Sequence, residues 1–170
     1  TKTALENIWQ IAPGADDDTL YVGAAPGGLF ESHDRGETWK LNSGLWKHKH
    51  RKNWAPGFGG LCLHTIITNT KNPNDLKIAV SSAGVYQSAD GGESWAASNT
   101  GIKAYFMPNQ YPEFGQCVHK IVRHPKKKKT LFLQNHHGVY RSRDDGHTWQ
   151  EIENGLPSNF GFGMTVSDSG

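Results

Sequence analysis

One eight-residue pattern occurs three times in this chain and constrains its fold more than any other feature. It reads Ser-x-Asp-x-Gly-x-(Thr/Ser)-Trp. The copies are Ser32, Asp34, Gly36 and Trp39, then Ser88, Asp90, Gly92 and Trp95, then Ser142, Asp144, Gly146 and Trp149. Their tryptophans stand 56 and 54 residues apart. The likeness extends outward, with Gly28-Leu29-Phe30, Gly84-Val85-Tyr86 and Gly138-Val139-Tyr140 before the boxes. Gly44-Leu45, Gly101-Ile102 and Gly155-Leu156 follow them. A period of this length marks one supersecondary unit per repeat, which buries its apolar faces against its neighbours.

Each unit reads as four short strands. In the third unit they are 118–123, 131–134, 139–142 and 148–152, rich in β-branched and aromatic residues and bounded by turn formers. No segment sustains a helical period, so no long helix is predicted. Four-stranded units at this spacing predict an all-β chain of β-propeller blades. The blades fall at 1–45, 46–102 and 103–157. Residues 158–170, with Phe160, Phe162, Met164 and Val166 in alternation, read as the start of a further blade. Within each box the Asp carboxylate suits nearby backbone N–H groups, the Gly suits a positive φ, and the Trp suits packing between sheets. A carboxylate beside a glycine also suits a calcium loop, but the further ligands of an EF-hand are missing. Propellers close with about four to eight blades. Three blades therefore predict a six- to eight-bladed ring completed by remaining blades or by a second chain, because exposed end sheets are unfavourable.

Composition narrows the function classes. A net charge of +2 without a concentrated basic face argues against nucleic acid. The apolar runs fall far short of the roughly 20 residues that cross a bilayer as a helix, so no membrane span is expected. Two cysteines exclude a disulfide-dense scaffold, and their pairing cannot be read from spacing. Residues 1–8 lack the basic-then-apolar order of a secretory leader, and unpaired cysteines lean towards a cytoplasmic setting. Lys126, Lys127, Lys128 and Lys129 sit where Asp16, Asp17 and Asp18 fall in the first unit. Opposite charges at matched positions read as solvated turns.

The three boxes resemble the Asp-box, or BNR, repeats of sialidases, sortilin-type receptor domains and photosystem assembly factors. Gly59-Gly60-Leu61-Cys62-Leu63-His64, Gly115-Gln116-Cys117-Val118-His119-Lys120 and the segment 134–142 are similar to a bacterial group of BNR-repeat glycosyl hydrolases or exo-α-sialidase-like proteins. The resemblance implies that the first strand of each blade lines a central channel. It also implies that inter-blade loops and the loops between strands two and three share a pocket face, with the Asp boxes at the outer rim of the opposite face.

On that mapping two long aromatic loops reach the pocket face, 43–60 with Trp46, His48, His50, Arg51, Trp54 and Phe58, and 100–116 with Tyr105, Phe106, Tyr111, Glu113 and Phe114. Each leads into a Cys-x-His: Cys62 and His64, Cys117 and His119. The third unit adds Asn135, His136 and His137. Three readings stay open. Cys62, His64, Cys117 and His119 carry ligand types that suit zinc, although Cys-x-His in a regular strand places side chains about 7 Å apart. Histidines and Asn135, walled by Trp54, Tyr105 and Tyr111 with Arg51, would suit a small-molecule or carbohydrate ligand. Alternatively the cysteines fill small core positions and the histidines satisfy loop carbonyls. No other cofactor is expected.

Sialidase chemistry needs three arginines around a carboxylate and a set of catalytic carboxyl and tyrosine groups. Of five arginines, Arg35, Arg141 and Arg143 belong to or flank the boxes, which leaves Arg51 and Arg123. Glu113 and Glu6 are the candidate catalytic carboxylates, two blades apart, whereas glycosidases hold their pair within about 5–9.5 Å. The expectation is therefore a propeller that binds a ligand or partner. A glycoside hydrolase with its remaining catalytic residues in other blades, and a protein-assembly scaffold, are the alternatives.

Overall fold

A computed structural model describes residues 6–169; residues 1–5, part of the segment read for a leader, and Gly170 lie outside it. Among the described residues, twelve strands form three four-stranded antiparallel sheets, each sheet in chain order. The first holds β1 (Ile8–Pro13), β2 (Leu20–Ala24), β3 (Gly28–Ser32) and β4 (Lys40–Leu41). The second holds β5 (Leu63–Ile67), β6 (Leu76–Val80), β7 (Gly84–Ser88) and β8 (Ala96–Ala97). The third holds β9 (Val118–Arg123), β10 (Leu131–Asn135), β11 (Val139–Ser142) and β12 (Gln150–Glu151). They are three blades of an unclosed β-propeller. Between β4 and β5 the chain makes a short helix, α1 (Ser43–Trp46), and a 3-10 turn, Arg51–Asn53. Among the described residues no helix is long and apolar enough to cross a membrane.

The boxes explain the tight turn between the third and fourth strands of each blade. Ser32 donates to Asp34 Oδ1 at 2.6 Å and its oxygen accepts the Gly36 N–H at 2.8 Å. The Asp34 carboxylate accepts the Thr38 N–H at 2.9 Å and the Thr38 hydroxyl at 2.5 Å. The same bonds recur around Asp90 and Asp144. Gly36, Gly92 and Gly146 take φ of 93°, 95° and 90°, the left-handed region where a Cβ is strained. The fourth strand is consequently short. The box holds the chain in its turn as far as Trp149, and only Gln150 and Glu151 pair with β11.

The second and third box tryptophans then wedge into the preceding blade. Trp95 Nε1 donates to Asn42 Oδ1 at 3.1 Å, and that oxygen also caps α1 through the Leu45 N–H. Trp149 Nε1 donates to the Ser98 carbonyl at 2.9 Å. Trp95 and Trp149 are 6% and 5% exposed, whereas Trp39, with no sheet in front of it, is 41% exposed. Equivalent positions of the inner strands behave alike: Ile11 is 61% exposed, Ile66 4% and Ile121 3%. Gly101 lets the third blade close in, since a Cβ there would stand 2.1 Å from the Trp149 carbonyl oxygen. A partly buried ion network centred on buried Lys77 spans the second and third blades: Lys77 Nζ lies 2.5 Å from Asp75 and 2.9 Å from Asp145, and Arg123 pairs with Asp145 at 2.7 Å. Arg123, read as a channel residue, is thus committed to this network.

All three inner strands carry a bulge at the same place. Trp9, His64 and His119 are the extra residues opposite Ala24/Gly23, Val80/Ala79 and Asn135/Gln134. A bulge re-aims the side chains around it. Residues 158–169, part of the segment read as the start of a further blade, form no strand. Their alternation has the right period, but the backbone binds a loop instead: the Asn159 carbonyl accepts from the Gly138 N–H at 3.0 Å and from Gln134 Nε2 at 2.9 Å.

In a polypeptide limited to this sequence, Trp95→Ala or Trp149→Ala is expected to lower stability by about 3–5 kcal/mol, and Trp39→Ala by under about 1 kcal/mol. Urea denaturation measures this, and equal losses at all three positions contradict the wedge. The boxes also set an acid limit. Hydrogen bonds from Ser32 and Thr38 hold the Asp34 carboxyl at about 2, and those from Ser94 and Ser88 hold Asp90 at about 2. Burial opposes the shift at Asp144, but bonds from Thr148 and Ser142 outweigh it and leave the group at about 2. Because these values lie below the roughly 3.9 of a free Asp, the stabilisation is fully present above about pH 4. It is lost as pH falls through about 2. A pH series of thermal melts should show that decline, flattened in Asp90→Asn.

Candidate functional site

The bulge at His119 brings together residues that a regular strand would hold apart. Cys117 immediately precedes β9, and its Sγ lies 3.6 Å from His119 Nε2, about half the spacing expected for alternate residues of a strand. The β10–β11 loop supplies His136. Its N–H donates to the Cys117 carbonyl at 2.7 Å, which ties the two chain segments side by side. One ligand atom each from Cys117, His119 and His136 falls within 4.8 Å of the others. Asn135 rigidifies the loop by donating to the carbonyls of Lys103, at 2.9 Å, and His137, at 3.1 Å.

The hydrogen bonds fix the His119 tautomer. Nδ1 lies 2.6 Å from the Gly161 carbonyl, which can only accept, so Nδ1 carries the proton and Nε2 presents a lone pair to Cys117. Burial pushes the pKa values of His119 and His136 down, which favours neutral rings. Burial raises the Cys117 thiol, opposed by hydrogen bonds from Ser82, so the sulfur keeps its proton at neutral pH and is a poor nucleophile on its own.

The four-residue metal reading divides here. Cys62 turns its thiol to the Gly59 carbonyl at 2.8 Å. His64 bonds Ser81 Oγ at 3.1 Å, and burial followed by repulsion from His119 lowers it to about 4. The His64 and His119 rings are 6.5 Å apart, but the Cys62 thiol and His64 Nε2 bond to their own neighbours, Gly59 and Ser81. The second blade lacks a counterpart to His136, because Ser82 and Ala83 fill that loop.

Aromatic rings surround the cluster. Tyr105 packs on His137 at 5.0 Å and Phe106 on His136 at 5.1 Å. Phe162 stacks on His119 at 4.4 Å, and Phe160 meets His136 at 5.0 Å. Phe160, Gly161 and Phe162 were not anticipated as site residues, and the only signal for them was the alternation attributed to a strand. Tyr111 is exposed on the same loop as Tyr105.

Other expected pocket residues serve the fold. Trp54 is buried, with Nε1 donating to the Tyr86 hydroxyl at 2.9 Å. Arg51 donates to the carbonyls of Pro26 at 2.6 Å and Gly27 at 2.7 Å, with its guanidinium 3.7 Å from the Trp46 ring centroid and 5.2 Å from that of Trp54. Its fork is therefore committed to backbone and not free for a carboxylate. Glu113 reaches His50 Nε2 at 3.4 Å. Glu6 is exposed, and its N–H donates to the Ala25 carbonyl. A separate polar cleft of about 320 Å³ lies between the first two blades at the box rim, beside Asn42 and Glu93. Arg51→Lys is expected to cost about 1.5–3 kcal/mol by losing the two-carbonyl fork. A denaturation series checks this, and an unchanged midpoint would return Arg51 to the pool of ligand-binding candidates.

The BNR/Asp-box repeat family model matches residues 30–41. Among curated proteins, none matches the chain. The fold is similar to that of an ancestral GH74 enzyme at 19% identity and TM-score 0.62, covering 87% of this chain and 18% of that one. It is also similar to the GH74 xyloglucanase from Xanthomonas campestris at 18% identity and TM-score 0.58, covering 89% of this chain and 24% of that one. YCF48 bound to D1 peptide matches at 16% identity and TM-score 0.56, covering 85% of this chain and 39% of that one. The chain thus spans well under half the length of these proteins. Identity at this level establishes a shared β-propeller fold, found in an enzyme family and in a peptide-bound protein alike.

Proposed function

We propose that these blades belong to a propeller that binds a ligand or protein partner on the face carrying the inter-blade loops, without itself cleaving glycosides. One observation carries this reading. Rings from two separate segments converge on His119 and His136 and remain exposed, Phe106 by 65% and Phe162 by 66%. Exposed rings beside neutral imidazoles supply apolar contact area and hydrogen bonds to an occupant. A protein of similar fold, YCF48, is bound to D1 peptide in its solved structure, which supports a binding use of such a fold.

The enzyme reading draws on the GH74 likeness and on Glu113, 66% exposed in its loop. Against it, Glu113 Oε1 lies 3.4 Å from His50 Nε2, beside an imidazole and not a paired carboxylate. Incubation of the full-length protein with xyloglucan and a panel of chromogenic glycosides is expected to release no product. Turnover abolished by Glu113→Gln would overturn the binding reading. Titration calorimetry with xyloglucan oligosaccharides, and in parallel with a peptide array, is expected to find an occupant whose affinity falls at least about tenfold in Phe106→Ala. Affinity unchanged in that variant counts against this face.

A further inference from the structure

We propose that Cys117, His119 and His136 form a binding site for a divalent transition metal, zinc by its ligand set, with one coordination position open towards the pocket mouth. The inference deepens the binding-face reading, but it concerns the protein alone and needs no occupant on the face.

Three features point to a ligand and not merely to packing. The first is the donor set: one thiol and two imidazoles are the borderline-soft ligands that zinc selects. The second is spacing. A tetrahedral zinc with ordinary Zn–S and Zn–N bonds has an S-to-N edge of about 3.6 Å. Cys117 Sγ and His119 Nε2 already stand 3.6 Å apart. The third ligand atom, on His136, lies within 4.8 Å of both, and rotation of its partly exposed ring shortens that gap. The third feature is the orientation of His119. Its Nδ1–H is anchored on the Gly161 carbonyl at 2.6 Å, which aims Nε2 inward; metal-bound histidines are held in this way by an outer hydrogen bond.

The surroundings fit a metal as well. Ser82 Oγ lies 3.9 Å from the Cys117 sulfur, placed to donate to a thiolate. Binding replaces the S–H proton with an S–metal bond and releases that proton to solvent, while both imidazoles bind through nitrogens that carry none. Three protein ligands leave the fourth position to water or to a heteroatom of whatever occupies the face. Cys62 and His64, the same sequence pair one blade earlier, form no such three-ligand group among the described residues and serve as an internal control.

The test is metal binding by the full-length, chelator-stripped protein. Zinc titration followed by elemental analysis is expected to give about one equivalent per chain. Cobalt(II) is expected to give the charge-transfer absorption of a thiolate–cobalt bond. Cys117→Ser should abolish that absorption, and His136→Ala should weaken zinc binding at least about 100-fold. Cys62→Ser and His64→Ala should leave both readouts unchanged. If Cys117→Ser does not fold, the native protein and Cys62→Ser still decide: no thiolate absorption overturns the proposal, as does absorption lost in Cys62→Ser. Zinc binding below about a fifth of an equivalent, or binding that His136→Ala leaves intact, overturns it too. Either result leaves the xyloglucan and peptide titrations untouched, so this site can fail while the binding face stands.

Discussion

Between consecutive blades, an indole from one Asp box sits under the end of the sheet before it, with its N–H satisfied by that sheet's Asn42 side chain or Ser98 carbonyl. The rest of the architecture depends on this contact. A four-stranded sheet has two apolar faces and cannot bury both alone. The box holds the indole in place, since Ser, Asp and Thr or Ser satisfy one another and the turn's N–H groups in a closed set. Apolar burial and polar satisfaction therefore act on the same few residues, and the pattern can repeat with little else in common between blades. Where no sheet precedes, as at Trp39 and Ile11, the same residues lie open to solvent.

The repeated bulge is the second device. It places Trp9, His64 and His119 at equivalent points of three inner strands. Among the described residues the Cys117, His119 and His136 group lies in the third blade. There the β10–β11 loop adds histidines, and the segment after β12 returns to cap them with Phe160, Gly161 and Phe162. A symmetric scaffold thus carries an asymmetric site, as expected where function resides in the loops of a rigid repeat.

The likeness to GH74 enzymes and to YCF48 identifies the scaffold and leaves its use to the site. In this chain the candidate catalytic carboxylates and arginines are drawn largely into other work. Arg51 forks onto a loop, Arg123 joins Lys77, Asp75 and Asp145, and Glu113 meets His50. What remains available at the mouth is imidazole, a thiol and exposed aromatic rings. That inventory suits holding an occupant better than protonating a glycosidic oxygen.

Sequence alone determined the three four-stranded blades, the strand order within each and the box turns. Those features follow from local rules: turn chemistry, strand period and a repeat in which every copy must satisfy the same geometry. The tertiary structure decided how the candidates divide. One-dimensional spacing assumes a regular strand, and a single extra residue at His119 halves the distance from Cys117. Long polar side chains escape sequence reading for a related reason. A guanidinium or carboxylate several bonds from its backbone takes whichever partner folding brings near, so Arg51, Arg123 and Glu113 found theirs in other loops and blades. The alternating Phe160 and Phe162 mimicked a strand because stacking on two histidines and pairing in a sheet ask for the same apolar residues. Only the neighbours present in space distinguish them.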